Sequence, residues 1–231
     1  VPMSKKTHRQ PTNVKNGPRR RSLLSVAAVV PVLAVVSAML FGCSNDKPSL
    51  DEVATAREAA LASEHSPTVG DPGAKVHIVE FLDPACGTCA LFYPMVKGWI
   101  AEVPGDIRLS VRHVAFHDGV DHAVRILEAS RNQDKYWQTL EVLLASQNQW
   151  VHNHVVQPDK IAAVIAKVGL DMDALEADMN SAEVLQRIEK DKKDSISLKV
   201  SATPEYFVNG RSLPSFGQQQ LANLVREELQ K

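Results

Sequence analysis

The 231-residue sequence is poor in cysteine, has almost no net charge, and contains no acidic side chain in its first 42 residues. Three cysteines are too few for a scaffold held together by several disulfides. The net charge of -1 conceals an asymmetry, because seven of the 26 Lys and Arg residues lie in residues 1–42, which leaves 19 basic against 27 acidic side chains after them. Nucleic-acid binding depends on Lys and Arg contacts to phosphates. We therefore expect no nucleic-acid partner.

A basic and then apolar leader precedes the acidic part of the chain. Nineteen uncharged residues, 23–41, directly follow three arginines, which is the arrangement of an export signal. One alternative is an uncleaved membrane anchor, since the stretch is about long enough to span a hydrocarbon core of about 30 Å. The other is a simple secretion signal. The four residues that end at Cys43 resemble the lipobox of bacterial lipoproteins, although Phe41 replaces the small residue usual there. We predict an export signal over 1–42, lipidation of Cys43 and a membrane-anchored body outside the cytoplasm.

The rest of the chain is predicted to be an α/β domain over 74–231, preceded by a spacer over 43–73. The spacer contains a helix-forming stretch that we expect on the surface. A strand, a helix and a strand within about forty residues indicate a βαβ unit, and a helical insertion over 118–199 follows it. The predicted elements are helix 51–63, strand 75–82, helix 86–102, strand 107–116, helices throughout 121–199, a hairpin of 205–209 and 211–215 that turns at Asn209-Gly210, and helix 217–230.

Several side chains of the insertion are assigned structural roles. The charge run 189–194 is predicted to be a solvated helix face. The aromatic residues Tyr136, Trp137 and Trp150 are predicted to belong to the core of the helical block.

Cys86-Gly87-Thr88-Cys89 places two cysteines one helical turn apart, directly after the first predicted strand. Such a pair can hold zinc, form a structural disulfide or act as a redox-active disulfide. Zinc needs about four ligands, and the third cysteine lies in the leader. Nothing in the sequence places the available histidines beside the pair: His113, His117, His122, His152 and His154. We therefore expect no bound metal, and a structural disulfide stays the plainer alternative to redox activity.

The redox interpretation follows from the position of the pair at the start of a helix. There, free backbone N–H groups and the helix dipole stabilise a thiolate. Cys86 is accordingly predicted to be the attacking, more exposed thiol, and Cys89 to be buried and to resolve the mixed disulfide. Gly87 is predicted to permit the tight turn, while Thr88 offers a neutral backbone and a hydroxyl. We expect no cofactor, because the two sulfur atoms carry the two electrons.

Two segments, in this order and at this separation, resemble the DsbA-like branch of the thioredoxin superfamily: FLDPACGTC at 81–89 and ATPEYFVNG at 202–210. The resemblance covers about residues 74–230. It implies a thioredoxin fold with an inserted helical subdomain, the block at 118–199. The two segments together are specific for this family, whereas two cysteines with this spacing alone would not identify it.

The resemblance also implies roles for residues outside the cysteine pair. Pro204, which follows Thr203, matches a cis-proline that lies against the pair and presents backbone to an extended substrate peptide. Glu80 matches a buried acid that exchanges a proton with Cys89 and whose pKa is raised by burial. The alternative for Glu80 is an exposed strand residue.

Two departures from the family pattern leave the direction of electron flow open. Gly87-Thr88 stands where strongly oxidising members have Pro-His, which removes one source of thiolate stabilisation. Thr203 before the proline is more similar to reductase or isomerase members.

The sequence thus predicts an extracytoplasmic thiol:disulfide oxidoreductase, in the periplasm or cell envelope, that exchanges disulfides with exported proteins. A membrane redox partner would reset it. One alternative is a reductase or isomerase of the same fold, for example one that prepares thiols for cytochrome or metal-site assembly. The other is a non-catalytic peptide- or metal-binding module on the same scaffold.

Overall fold

The computed structural model describes residues 50–61 and 63–231, and these form an α/β domain, as predicted. The strands are β1 Thr68–Val69, β2 Val76–Leu82, β3 Ile107–His113, β4 Val151–His152, β5 Val155–Val156, β6 Glu205–Val208 and β7 Arg211–Ser212. The helices are α1 Leu50–Leu61, α2 Gly87–Glu102, α3 Asp121–Ser130, α4 Tyr136–Ala145, α5 Gln147–Trp150, α6 Pro158–Ile165, α7 Met172–Asp178, α8 Ala182–Ser197 and α9 Gln218–Gln230.

A mixed five-stranded sheet, in the order β1-β3-β2-β6-β7, forms the centre of the domain. Strands β2 and β3 are parallel and are joined through α2, which confirms the predicted βαβ unit, whereas the other pairs are antiparallel. Side chains alternate along β2, so that Ile78, Glu80 and Leu82 share one face. Ile78 and Leu82 belong to the main core, which includes the buried side of α2, and Val79 and Phe81 belong to a smaller cluster on the other face. Glu80 therefore lies on the face that α2 covers.

Strand β3 ends at His113, three residues before the end predicted from the sequence. The backbone N–H groups of Phe116 and His117 donate to the side chain of Asp83 instead of to a neighbouring strand. A side chain that competes for backbone donors ends the ladder there. The predicted hairpin near the C-terminus is confirmed, with Asn209 and Gly210 both at positive φ in its turn.

The predicted helical insertion is confirmed as α3 to α8, between β3 and β6. The expectation that it is helical throughout is wrong at 151–156, where β4 and β5 form a short antiparallel hairpin. Its turn residues Asn153 and His154 both have positive φ, as a two-residue hairpin turn requires. Trp150 and Tyr136 are buried and Trp137 packs against the core, which confirms their predicted structural role.

The N-terminal part of the described chain is more than a spacer. Helix α1 confirms the predicted helix, but its last residues Ala60 and Leu61 are buried in the smaller hydrophobic cluster. Strand β1 adds to the edge of the sheet by pairing with β3. Packed structure therefore begins upstream of residue 74, because both elements cover surface that the sheet would otherwise expose.

The leader predicted over 1–42, with Cys43, lies outside the described residues, and its export role and lipidation stay predictions. Within the described ranges, no helix has the length and apolar character needed to cross a membrane.

The charge run 189–194 was predicted to be a solvated helix face. This is wrong for Asp191 and Asp194, which are buried. Both accept hydrogen bonds from Arg112 of β3, at 2.6 Å from Nε to Asp191 and 2.5 Å from a terminal nitrogen to Asp194. The Arg112 side chain is fully buried. Two turns of α8 thus point acidic residues inward because a buried guanidinium requires them.

Candidate active site

The cysteine pair lies where β2 ends and α2 begins. Cys86 is the N-cap of α2, with extended backbone angles, and its sulfur accepts a hydrogen bond from the Cys89 N–H at 3.4 Å. The sequence predicts Cys86 in the first turn of the helix, and the cap position immediately before that turn aims the same free N–H groups at the sulfur. Gly87 is the first helical residue, and a Cβ there would meet nothing within 4 Å. Glycine is thus compatible with this position, as predicted, and the space around it would also admit a side chain.

The two thiols differ in exposure and in acidity, as predicted. Cys86 keeps 7% of its surface exposed, and Cys89 is fully buried. Hydrogen bonds from the Cys89 thiol, from Thr203 and from the backbone of Cys89 and Thr88 lower the pKa of Cys86 to about 5, against the effect of burial. The pKa of Cys89 is raised, mainly by burial and then by the hydrogen bond to Cys86 and the charge of Glu80. Cys86 is therefore a thiolate near neutral pH, while Cys89 holds its proton.

The loop before β6 contacts the first cysteine. The Thr203–Pro204 peptide bond is cis, as the resemblance implies. The Cys86 sulfur lies 3.2 Å from the backbone carbonyl oxygen of Thr203, to which its thiol form donates a hydrogen bond. Pro204 is buried and Thr203 is partly exposed, so the structure brings both residues to the cysteine pair although they lie more than a hundred positions away in sequence.

Glu80 is fully buried on the α2 side of the sheet, which rules out the alternative of an exposed strand residue. Neither carboxylate oxygen has a hydrogen-bond partner among the residues that the structure describes. Tyr206 is its direct cross-strand neighbour, and their contact lowers the pKa without forming a well-aligned hydrogen bond. Burial outweighs it and, with the negative charge of Cys86, raises the pKa of Glu80 to about 8. A carboxyl with such a pKa can both hold and release a proton near neutral pH.

Two side chains that hold the turn before Cys86 escape the sequence analysis. Asp83 is fully buried, accepts the Ala85 N–H at 2.8 Å and also accepts hydrogen bonds from the residues after β3. Gln147 of α5 donates to the carbonyls of Pro84 and Cys86. Asp83 could have been suspected from its position three residues before the cysteine, whereas no local signal marks Gln147.

The histidines are divided among different environments. His113 is buried and its Nε2 lies 2.9 Å from the Tyr136 hydroxyl. The His117 ring nitrogen Nδ1 lies 3.0 Å from Asp83, and its ring stacks on that of His154 at 6.1 Å between centroids. In the described part of the chain, no group of three or more His, Cys, Asp or Glu side chains is arranged to hold a metal ion.

Comparisons with known proteins agree with this geometry. A family model described as Thioredoxin matches residues 62–227. The chain is 26% identical over 185 residues to the thiol:disulfide interchange protein DsbA of Azotobacter vinelandii, covering 78% of this chain and 83% of that protein. A crystal structure of a thioredoxin-like oxidoreductase from Silicibacter pomeroyi DSS-3 superimposes with a TM-score of 0.65 at 27% identity, over 75% of this chain and 98% of that one.

Another relative is a transport protein much longer than this chain. The chain is 31% identical over 144 residues to a Na(+)/H(+) antiporter NhaA of Herminiimonas arsenicoxydans, covering 62% of this chain. It spans only 22% of the length of that protein. The predicted thioredoxin fold with an inserted helical subdomain is confirmed by the matched family, the sheet order and the solved structure. The chain therefore belongs to the thioredoxin family and is similar to the thiol:disulfide interchange protein DsbA.

Proposed function

We propose that the chain catalyses thiol–disulfide exchange with exported proteins through Cys86 and Cys89. The observation that carries this proposal is the contrast between the two thiols at one helix start, with the pKa of Cys86 lowered to about 5 and that of Cys89 raised. The thiolate is the reacting form of cysteine. The acidic Cys86 can form the mixed disulfide with the substrate, and the buried Cys89, one helical turn away, can resolve it.

In the oxidising direction, a substrate thiolate attacks Cys86 of the Cys86–Cys89 disulfide. The sulfur–sulfur bond breaks, its electron pair goes to Cys89, and Cys89 takes a proton that Glu80 supplies. A second substrate thiolate then attacks the substrate sulfur of the mixed disulfide and displaces Cys86 as a thiolate. The substrate has lost two electrons, and the enzyme holds Cys86 as a thiolate and Cys89 as a thiol. The reducing direction is the reverse, with Glu80 accepting the proton of Cys89.

Thr203 and Pro204 are proposed to bind the substrate backbone beside Cys86. The Cys86 sulfur lies 3.2 Å from the carbonyl oxygen of Thr203, so this loop lies at the edge of the reacting sulfur. An extended peptide could pair with backbone there without any requirement for a particular side chain. Such binding suits an enzyme whose substrates are many different exported proteins.

The location proposed for this reaction is outside the cytoplasm, where disulfides form and persist. The leader with its arginines and apolar stretch supports export, and Cys43 supports a lipid anchor. A membrane protein that exchanges electrons with the Cys86–Cys89 pair would then restore the starting redox state after each turnover.

The test is the reduction potential of the full chain, equilibrated against glutathione. The pKa of Cys86 lies between the values of about 7 and about 3.5 known for thioredoxin and a strong oxidase. We therefore expect a potential between about -270 and about -120 mV. A value at the reducing end would reverse the direction of the reaction and favour the reductase or isomerase. A pair that never exchanges would leave a non-catalytic module.

The matched variants are Cys86→Ser and Thr88→Ser. Cys86→Ser should fold and lose all turnover, because no described thiol other than the buried Cys89 lies at the site. Thr88→Ser keeps a hydroxyl at the neighbouring position and should retain turnover. Full activity of Cys86→Ser would refute the proposed function.

A further inference from the structure

Gln147, the first residue of α5, donates two hydrogen bonds from its side-chain nitrogen to the turn that carries Cys86. The nitrogen Nε2 lies 2.8 Å from the carbonyl oxygen of Pro84 and 3.0 Å from that of Cys86. A primary amide nitrogen carries two hydrogens, so both are used on this turn. The helical insertion thereby contacts the redox turn across 61 positions of sequence.

The element that presents Gln147 is firmly anchored. Trp150, at the other end of α5, is fully buried, and its indole N–H donates to the carbonyl of Leu143 at 3.0 Å. The carbonyl of Trp150 accepts from the N–H of Gln157 at 2.8 Å. A positioning side chain needs such a fixed support, because a loosely held one would not fix the geometry of its partner.

The turn is held on its N–H side by another residue. Asp83 accepts the Ala85 N–H through its side chain at 2.8 Å and the Cys86 N–H through its carbonyl at 3.0 Å. Gln147 supplies donors to the carbonyl side of the same turn. The peptide groups on both sides of Cys86 are thus oriented by contacts from outside α2.

The orientation of these peptide groups affects the thiolate directly. The sulfur of Cys86 is stabilised by backbone N–H groups at the start of α2, those of Thr88 and Cys89 among them. The Cys86 carbonyl accepts both the first helical bond, from Ala90 N–H at 3.2 Å, and the bond from Gln147. A hydrogen bond to this carbonyl fixes the first peptide plane of the helix, and the N–H groups of Thr88 and Cys89 that face the sulfur belong to the same turn.

We propose that Gln147 is a positioning residue for the redox reaction, which keeps the Cys86 thiolate stabilised by holding the carbonyls of Pro84 and Cys86 from the helical insertion. The inference rests on the proposed function, since it assigns a role in the reactivity of the same site. Gln147 does not contact the reacting sulfur, and acts through the peptide groups beside it.

The experiment compares Gln147→Met and Gln147→Glu with Gln149→Glu in the full chain. Methionine keeps the length of the side chain without its donors, and glutamate replaces the donors by a negative charge. Gln149 is an exposed residue of the same short helix, so its variant controls for the added charge. The readout is the absorbance of the thiolate as a function of pH, together with the reduction potential against glutathione.

Gln147→Met should raise the pKa of Cys86 by about one unit, since one neutral hydrogen bond is worth about that much. Gln147→Glu should raise it further, and Gln149→Glu should leave it unchanged. A tenfold loss of thiolate stabilisation makes the potential about 30 mV more negative. Lower thermal stability alone, with an unchanged pKa and potential, would show that Gln147 only supports the fold and would overturn the inference.

Failure of the proposed function gives a different result. If the wild-type pair does not exchange with glutathione, the function is wrong, while the thiolate titration still tests Gln147. If the wild-type pair exchanges and both Gln147 variants titrate like it, only the inference is wrong. Gln147 is partly exposed, so Gln147→Met should fold. Unfolding of both variants would make the contact structural and also refute a positioning role.

Discussion

Glu80 and the pair Asp191 and Asp194 are all buried acids, but their surroundings are opposite. Asp191 accepts hydrogen bonds from Arg112, from His65 and from the His113 N–H. Burial alone would raise the pKa of Asp191, yet these partners outweigh it and lower the pKa. Glu80 has no well-formed partner among the described residues, and burial raises its pKa to about 8.

The difference separates a structural charge from one available for chemistry. A buried ion pair with satisfied hydrogen bonds fixes how α8 and the segment before β1 dock on β3, and the lowered pKa of Asp191 keeps that carboxylate charged near neutral pH. A buried carboxyl without partners destabilises the fold in its charged form and so titrates where proton transfer is useful. Of the three acids compared, Glu80 lies beside the cysteine pair and contributes to raising the pKa of Cys89.

Breaking the satisfied site should have the largest effect on stability. Arg112→Met leaves Asp191 and Asp194 buried without their guanidinium, and we expect the free energy of unfolding to fall by about 3–5 kcal/mol. Urea denaturation measures the change. The pKa of Cys86 should stay near its wild-type value, because Arg112 is not among the groups that set it.

The triple variant Arg112→Met, Asp191→Asn, Asp194→Asn is the control for this loss. It removes both buried charges along with the cation, so it should recover part of the stability that the single variant loses. Equal stability of wild type and Arg112→Met would show that the network contributes nothing to folding.

Removing the unsatisfied acid should slow the exchange reaction. Glu80→Gln cannot transfer a proton to or from Cys89, and we expect exchange to slow by about a hundredfold. Stopped-flow oxidation of the reduced enzyme measures the rate, and Glu102→Gln, at an exposed position of α2, is the matched control. A wild-type rate for Glu80→Gln would remove Glu80 from the mechanism.

The two sites should also respond to pH with opposite signs. An ordinary glutamate has a pKa of 4.5, and in the folded protein the pKa of Glu80 is about 8. Between these values the folded protein keeps a proton that the unfolded chain has lost. The free energy of unfolding should therefore fall as pH rises, by up to about 1.4 kcal/mol per unit.

Asp191 has the reverse dependence. Its pKa is lowered in the fold, so its stabilisation is present above its ordinary value of 3.8 and is lost as pH falls below that value.

Denaturation of the wild type and Glu80→Gln across pH 5–8 isolates the effect of Glu80. A slope that persists in Glu80→Gln would assign it to another group.

The smallest expected effect is at the rim of the satisfied site. His65 is partly exposed, and its Nε2 lies 2.7 Å from Asp191. His65→Ala removes one of several hydrogen bonds to this carboxylate and should lower the free energy of unfolding by about 1 kcal/mol. His152→Ala, at an exposed position of β4, should change it less. A loss as large as that of Arg112→Met would mean that His65 holds the N-terminal segment in place.

The accuracy of the sequence predictions follows the range of the interactions involved. The βαβ unit, the Asn209-Gly210 hairpin and the asymmetry of Cys86 and Cys89 were predictable because they depend on neighbours in sequence. The hairpin at 151–156 was not predicted, since strands of two residues are too short to show the alternation that marks a strand. The inward side of the run at 189–194 was not predicted either, because it depends on Arg112, about eighty positions away.

The sequence by itself determined that a reactive thiol stands at a helix start, since a cysteine directly before a helix meets free N–H groups whatever else the chain does. It also determined the strand that carries Glu80. Tertiary structure alone decided that Glu80 has no well-aligned hydrogen-bond partner among the described residues, while Asp191 and Asp194 receive Arg112. It alone brought Thr203 and Gln147 within hydrogen-bond distance of Cys86, because contacts between distant segments exist only once the sheet and the insertion have packed.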